Sequence, residues 1–297
     1  MINTEIDENY SKDILLAQAF ERIQEENIAS LSHLMNDIIE IINCNQTNAQ
    51  DLTVYIQRDP ALSARVLREA NSMQNYSSKR ISNIVEAVIW LGFDTIKELA
   101  LSQRTVEAFD GSELDKNHFS RNQLWKHSVG VATMAKLIMR MEFADSGDFI
   151  YVAGLLHDFG LLIIDQVFPE KVQRILELME NKDAHILKVT EQVFGFNHIE
   201  LTNMLIDSWN FPKELKMLVN HSFNPFLIEE DLRREAMVLT IADHFCTVHE
   251  GNFGIGPGYA ADNYIVSKCL KELKIYQYTA RSIMDEFKKK IKSNDFR

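Results

Sequence analysis

Apolar residues recur at three- and four-residue steps along most of the chain, which is the spacing of one face of an α-helix. Alternation of apolar and polar residues, typical of strands, is not the dominant pattern, and 11 Gly and 5 Pro in 297 residues leave few turn formers. The sequence therefore predicts an all-α protein with short connections. The predicted helices span residues 14–27, 31–42, 47–57, 60–70, 82–91, 95–106, 124–141, 149–167, 171–179, 186–194, 198–209, 214–220, 236–249, 262–274 and 279–291.

A polar stretch over residues 110–122 interrupts the helical periodicity and contains Gly111. We place a domain boundary there, with an N-terminal helical subdomain over residues 1–110 and a second helical subdomain over residues 111–297. The same stretch is also compatible with a long surface loop within one body.

The net charge and the residues at the N-terminus indicate which partners the protein binds and where in the cell it lies. The net charge is −12, from 31 basic and 43 acidic residues, which disfavours binding to the phosphate backbone of nucleic acids. We find no uninterrupted apolar run of the roughly 18 residues that a membrane span needs, and the polar first residues do not resemble a signal peptide. The three cysteines have no CxxC spacing, as expected of free thiols. We expect a cytoplasmic protein that binds neither nucleic acid nor membrane.

The candidate chemistry centres on the adjacent pair His157–Asp158, which follows an apolar helical approach. His127 precedes this pair, and His198, His221 and Asp243 follow it. Imidazoles and carboxylates bind divalent iron, manganese, zinc or magnesium, and buried ionisable groups need a charge partner or a metal. The set predicts a mono- or dinuclear metal site. The alternative is a buried hydrogen-bond network that remains where a metal once bound.

Several longer motifs accompany these residues. The front half contains residues 57–67 (Gln-Arg-Asp-Pro-Ala-Leu-Ser-Ala-Arg-Val-Leu), 70–72 (Ala-Asn-Ser), 81–88 (Ile-Ser-Asn-Ile-Val-Glu-Ala-Val) and 91–92 (Leu-Gly). The back half contains residues 124–128 (Leu-Trp-Lys-His-Ser), 153–160 (Ala-Gly-Leu-Leu-His-Asp-Phe-Gly), 197–198 (Asn-His), 209–212 (Trp-Asn-Phe-Pro) and 242–243 (Ala-Asp). With these motifs the chain resembles the HDOD proteins, the HD-related output domain family, over roughly residues 25–245.

The resemblance implies an all-helical, HD-domain-like fold and a role in bacterial signal transduction. HDOD modules are regarded as regulatory or output domains without a demonstrated enzymatic activity, but they are similar to metal-dependent phosphohydrolases and to the HD-GYP phosphodiesterases that cleave cyclic di-GMP. In the HD pattern His127, His157, Asp158 and Asp243 occupy the four metal-ligand positions. The resemblance matches His198 and His221 to additional histidines of the HD-GYP branch.

The chain departs from the HD-GYP pattern in ways that weigh against catalysis. Gly160-Leu161 replaces Gly-Lys, which removes a cation suited to a substrate phosphate, and Asn220-His221 replaces two consecutive histidines. The Gly-Tyr-Pro signature is absent from the sequence.

Two hypotheses follow. The first is a non-catalytic signalling module with a protein partner and a residual metal or nucleotide site. The second is a metal-dependent phosphohydrolase in which Asp158 orients or deprotonates the attacking water. No oligomeric state is predicted.

Overall fold

The computed structural model describes residues 3–25, 60–72, 81, 83–92, 120–181, 183–208, 211–248 and 262–293, with six further positions between 53 and 100. All regular secondary structure among these residues is helical, so the predicted all-α class is confirmed. The helices are α1 (Asn3–Glu25), α2 (Pro60–Ser72), α3 (Ile84–Leu91), α4 (Arg121–Phe143), α5 (Asp148–Leu156), α6 (Phe159–Val167), α7 (Pro169–Met179), α8 (Ile186–Phe194), α9 (His198–Ser208), α10 (Lys213–Asn220), α11 (Glu230–Val248), α12 (Asn263–Glu272) and α13 (Gln277–Ser293). The predicted helix over residues 31–42 lies outside the described residues, and those over 47–57 and 95–106 lie mostly outside them.

The chain forms two compact units. The larger unit comprises residues 1–28 and 109–287, and the smaller unit comprises residues 29–108 and 288–297. Residues 1–28, which the sequence analysis assigned to the N-terminal subdomain, therefore belong with the larger unit. Helix α1 packs against α6 of this unit. Ion pairs add to this packing, from Lys12 to Glu191 and Glu200 and from Arg22 to Glu170.

Close packing of α4 against α5 and α11 forms the centre of the larger unit. Gly154 makes the approach of α5 to α4 possible. A Cβ atom at this position would lie 2.6 Å from Cα and 2.7 Å from N of Ala132, well inside contact distance. The absence of a side chain at Gly154 thus brings the helix that leads to His157 against the helix that carries His127.

The apolar stretch Phe149–Val167 was predicted as one continuous helix, but the structure divides it. Helix α5 ends at Leu156 and α6 begins at Phe159, with Asp158 in a non-helical conformation between them (φ −106°, ψ 15°). By length and composition this stretch could cross a membrane, contrary to our expectation from the sequence; 94% of it is buried inside the protein. The stretch forms the core of the larger unit, and His157 and Asp158 lie at the break between α5 and α6.

In the smaller unit, α2 and α3 pack against each other. The side chain of Asn71 links the end of α2 to Ile81, which precedes α3. Its Nδ2 atom donates to the carbonyl oxygens of Leu67 (2.7 Å) and Ile81 (2.8 Å), and its Oδ1 atom accepts from the N–H of Ile81 (2.9 Å). The Ala-Asn-Ser motif at 70–72 thus has a structural role.

Replacing Asn71 with alanine is expected to destabilise the smaller unit by about 2 kcal/mol, because three hydrogen bonds are lost and the polar groups of Ile81 lose their partner. Hydrogen exchange of the α2 and α3 amides, together with thermal unfolding of the full chain, measures this effect. Unchanged protection of both helices would contradict the assigned role.

Candidate metal centre

Four parts of the larger unit bring histidine and aspartate side chains together. His127 comes from α4, His157 and Asp158 from the break between α5 and α6, His198 from the first position of α9, and Asp243 from α11. All five residues are at most 2% exposed. The structure thus collects five of the six residues that the sequence analysis selected.

The two carboxylates lie between the imidazoles. The Nε2 atom of His127 is 3.1 Å from Oδ1 of Asp243, and the Nε2 atom of His157 is 3.3 Å from Oδ2 of Asp158. The crossed distances, from His127 to Asp158 and from His157 to Asp243, are both 3.8 Å. Ligand atoms about 2.0–2.2 Å from one metal ion lie about 3–3.5 Å from their neighbours. The two shorter separations, 3.1 and 3.3 Å, match a shared coordination sphere, whereas the two of 3.8 Å are slightly longer.

The backbone sets the orientation of the His157 ring. Its Nδ1 atom lies 2.8 Å from the carbonyl oxygen of Gly154, so Nδ1 carries the proton that is donated to this acceptor. This contact turns the Nε2 atom towards the two carboxylates. Fixing a ligand imidazole by a hydrogen bond from its other nitrogen is a common feature of metal sites in proteins.

The first turn of α9 packs closely against the first turn of α6. The N–H of Gly160 donates to Oγ1 of Thr202 (2.8 Å), and the Thr202 hydroxyl donates to the carbonyl oxygen of His198 (2.9 Å). A Cβ atom on residue 160 would lie 2.0 Å from that carbonyl oxygen. This packing positions His198, whose Nε2 atom is 3.3 Å from Oδ1 of Asp158.

The charges of the cluster are strongly coupled. Burial alone would lower the pKa of His157, but the neighbouring carboxylates of Asp158 and Asp243 outweigh burial and raise this pKa well above its ordinary value. Burial would raise the pKa of Asp158, yet His157 and His198 hold it well below its usual range. The pKa of Asp243 is likewise lowered against burial, by His127 and His157. Both carboxylates therefore stay ionised and require positive charge beside them.

The side chains fit a divalent cation. One atom from each of His127, His157 and Asp158 can be chosen so that all three lie within 4.8 Å of one another. Oδ2 of Asp243 is one of several buried side-chain atoms that have no hydrogen-bond partner among the described residues. Buried polar atoms are rarely left without a partner, and mixed nitrogen and oxygen donors suit iron, manganese or zinc.

His221 and its neighbour occupy a different place. His221 is half-buried at the end of α10, where its Nδ1 atom lies 2.8 Å from the carbonyl oxygen of Met217. It forms no ion pair with Asp158 or Asp243 among the residues that the structure describes. The side chain of Asn220 accepts a hydrogen bond from Asn203 (2.9 Å).

Sequence reasoning missed the residues that support the site. A glycine inside an apolar helix, as at Gly154, signals close backbone packing and could have been recognised. Thr202 gave no comparable signal, because threonine four residues after a candidate ligand is an ordinary helical residue.

Comparison with known proteins gives a consistent picture. The sequence model of the HDOD domain matches residues 28–225. An uncharacterized protein of Treponema pallidum is 26% identical over 218 residues, which are 71% of this chain and 40% of that protein. The uncharacterized protein YuxH of Bacillus subtilis is 25% identical over 186 residues, which are 60% of this chain and 42% of YuxH. The chain thus spans about two fifths of the length of these relatives.

Solved structures share the fold. An HDOD domain protein of unknown function from Geobacter sulfurreducens superposes with a TM-score of 0.71 at 22% identity, covering 88% of this chain and 92% of that one. A candidate signal transduction protein from Marinobacter aquaeolei VT8 gives 0.68 at 21% identity, covering 88% and 57%. A candidate phosphohydrolase from Shewanella amazonensis SB2B gives 0.59 at 19% identity, covering 90% and 97%. Because the family match over residues 28–225 includes well over half of the chain, the protein belongs to the HDOD family.

Proposed function

We propose that this protein is a regulatory or output module of bacterial signal transduction that binds a divalent cation and does not catalyse a reaction. His127, His157, Asp158 and Asp243 would hold the cation, with His198 contacting Asp158. His221 would lie outside the ligand set because it forms no ion pair with the described aspartates.

The charge of the cluster supports cation binding. Two ionised carboxylates, Asp158 and Asp243, are buried together with imidazoles, and isolated buried charges are costly. A divalent cation there would neutralise both carboxylates and link α4, α11 and the α5–α6 break. Iron, manganese and zinc suit the mixed donors best, whereas magnesium prefers oxygen ligands.

The proposal that the protein does not catalyse a reaction rests on the burial of the site. The five clustered side chains are at most 2% exposed. Structural metal sites fill every coordination position with protein groups, whereas catalytic sites keep one position open for water or substrate. The burial of all five side chains supports the first kind of site because it limits access from solvent. Leu161, which stands where HD-GYP enzymes carry lysine, is fully buried and offers no charge to a phosphate.

The output would pass through a protein partner in the cytoplasm, with a nucleotide as the other candidate ligand. The net charge of −12 supports a protein over a nucleic acid, because it repels a phosphate backbone. The alternative function is a metal-dependent phosphohydrolase, which the clustering of all four HD-type ligands favours. Asp158 would then orient the attacking water.

Freshly purified protein is expected to contain a single equivalent of iron, manganese or zinc. Removal by a chelator should lower the unfolding temperature by about 5–10 °C, because a ligand at about 100 times its Kd adds about 2.7 kcal/mol to the folded state. Elemental analysis and thermal unfolding measure both quantities, and adding Mn²⁺ back serves as the control for reversible loss.

Two outcomes would overturn this proposal. Absence of metal from the fresh protein, with no thermal shift on adding Mn²⁺, would exclude the cation site. Metal-dependent hydrolysis of phosphomonoesters or cyclic dinucleotides by the loaded protein, lost on chelation, would establish the phosphohydrolase instead.

A further inference from the structure

Helix α1 contacts both helices that flank the turn between α8 and α9, as well as the turn itself. The Nζ atom of Lys12 lies 3.0 Å from Glu191 of α8 and 2.8 Å from Glu200 of α9. The side chain of Leu15 rests on the turn itself, with Cδ1 only 2.4 Å from where a Cβ of Gly195 would be. Gly195 has a positive φ of 80°, so the turn depends on glycine for its conformation as well as for this contact.

Glu200 connects these contacts to the start of α9. Its Oε2 atom accepts from the N–H of Asn197 (2.8 Å), while its own N–H donates to Oδ1 of Asn197 (3.0 Å). This reciprocal pair is a capping box at the first turn of the helix. The other carboxylate oxygen, Oε1, binds Lys12. One side chain thus holds both α1 and the cap of α9.

The capped turn carries a residue of the metal centre. His198 is the first residue of α9, directly after Asn197, and its N–H lies 3.3 Å from Oγ1 of Thr190 on α8. Its imidazole contacts Asp158 at 3.3 Å. A change in the α8–α9 turn would therefore move an imidazole that touches a proposed metal ligand.

The described part of α1 has few buried side chains, and Arg22 adds a cation–π contact with the Phe168 ring at 4.6 Å. Between Lys12 and Ile23, only Ala19 and Ile23 are buried, whereas Ile14 and Leu15 remain exposed. The ion pairs of Lys12 and Arg22 involve partly exposed side chains, which salt screens. Elements with few buried apolar contacts open more readily than the rest of a fold.

We propose that α1 is a detachable regulatory strap that controls the cation site through Lys12, Glu200 and the cap of α9. When α1 is docked, Lys12 holds Glu200 in the capping box and His198 stays against Asp158. When α1 is released, the first turn of α9 loosens and the affinity for the cation falls. This inference rests on the proposed cation binding.

Three variants of the full chain test the strap. Lys12→Gln removes both ion pairs, whereas Lys12→Arg retains the charge. Arg174→Gln is the matched control, because the ion pair of Arg174 with Glu177 lies within α7 and involves neither α1 nor the α8–α9 turn. Mn²⁺ affinity is measured by competition with a chromogenic chelator, and hydrogen exchange is followed at residues 197–202. Lys12→Gln should bind Mn²⁺ about 3–10 times more weakly, less than the about 10–100-fold typical of changes next to ligands.

The other expected results distinguish the strap from simple packing. Lys12→Gln should also speed exchange in the first turn of α9. Lys12→Arg should restore both readouts, and Arg174→Gln should leave the Mn²⁺ affinity unchanged. Raising the salt concentration should weaken Mn²⁺ binding more in the wild type than in Lys12→Gln, because that variant has already lost the ion pairs.

Failure of the strap and failure of cation binding give different results. If the wild type binds Mn²⁺ and Lys12→Gln binds it equally well, the strap is refuted while the cation site stands. Equal weakening by Lys12→Gln and Arg174→Gln would refute the route through Glu200. If the wild type binds no Mn²⁺, both proposals fall.

Discussion

The Asp158→Asn protein is expected to bind no stoichiometric metal and to lose about 3–5 kcal/mol of stability in its metal-free form. Asp158 faces three imidazoles, with His157 and His198 each at 3.3 Å and His127 at 3.8 Å. An asparagine keeps the shape but removes the charge that raises the pKa of His157. The buried imidazole of His157 would then either lose its proton or stay charged without its main counterion.

A second buried acid provides the matched control. Asp165 lies on α6 and pairs with Arg121, outside the histidine cluster. Asp165→Asn should also destabilise the protein, because it breaks a buried ion pair, but it should retain the metal. Elemental analysis and denaturant unfolding of both variants separate a ligand from a structural acid. Full metal content in Asp158→Asn would remove this residue from the site.

The composition of the cluster could be predicted from the sequence, but its precise supports could not. His127, His157, Asp158 and Asp243 stood out because polar residues interrupt apolar helical faces, and the structure brings them together. The break between α5 and α6 was missed, because the apolar pattern continues through residues 149–167 and periodicity does not register a single non-helical residue such as Asp158.

Long-range contacts account for the other differences. Residues 1–28 were assigned by their position in the sequence, whereas their contacts in the larger unit include those of Lys12 with partners nearly two hundred residues away. The sequence around a lysine in a polar helix gives no indication of such a distant partner. The same limit applies to His221, since a family pattern supplies residue types but not the helix end at which this side chain meets Met217.

Replacing Gly160 with alanine is expected to destabilise the protein by about 3 kcal/mol and to displace His198 from Asp158. The added Cβ would lie 2.0 Å from the carbonyl oxygen of His198 and 2.9 Å from Oγ1 of Thr202. Because the nearest atom is a backbone oxygen, it cannot move aside as a flexible side chain could, and α6 and α9 must separate. This separation also breaks the hydrogen bond from Gly160 to Thr202. Metal affinity should fall together with stability.

The sign of this effect makes the test decisive. In a helix without steric conflict, alanine is more favourable than glycine by about 1 kcal/mol, so a stabilised Gly160→Ala protein would disprove the close approach. Thr202→Val is the control, because it removes the hydrogen bond from Gly160, together with the one from Thr202 to the carbonyl oxygen of His198, without adding an atom at the contact. It should cost about 1–2 kcal/mol. Denaturant unfolding gives the free energy of unfolding of both variants. The difference between the two values reports how strongly the α6–α9 contact holds His198 at the candidate metal centre.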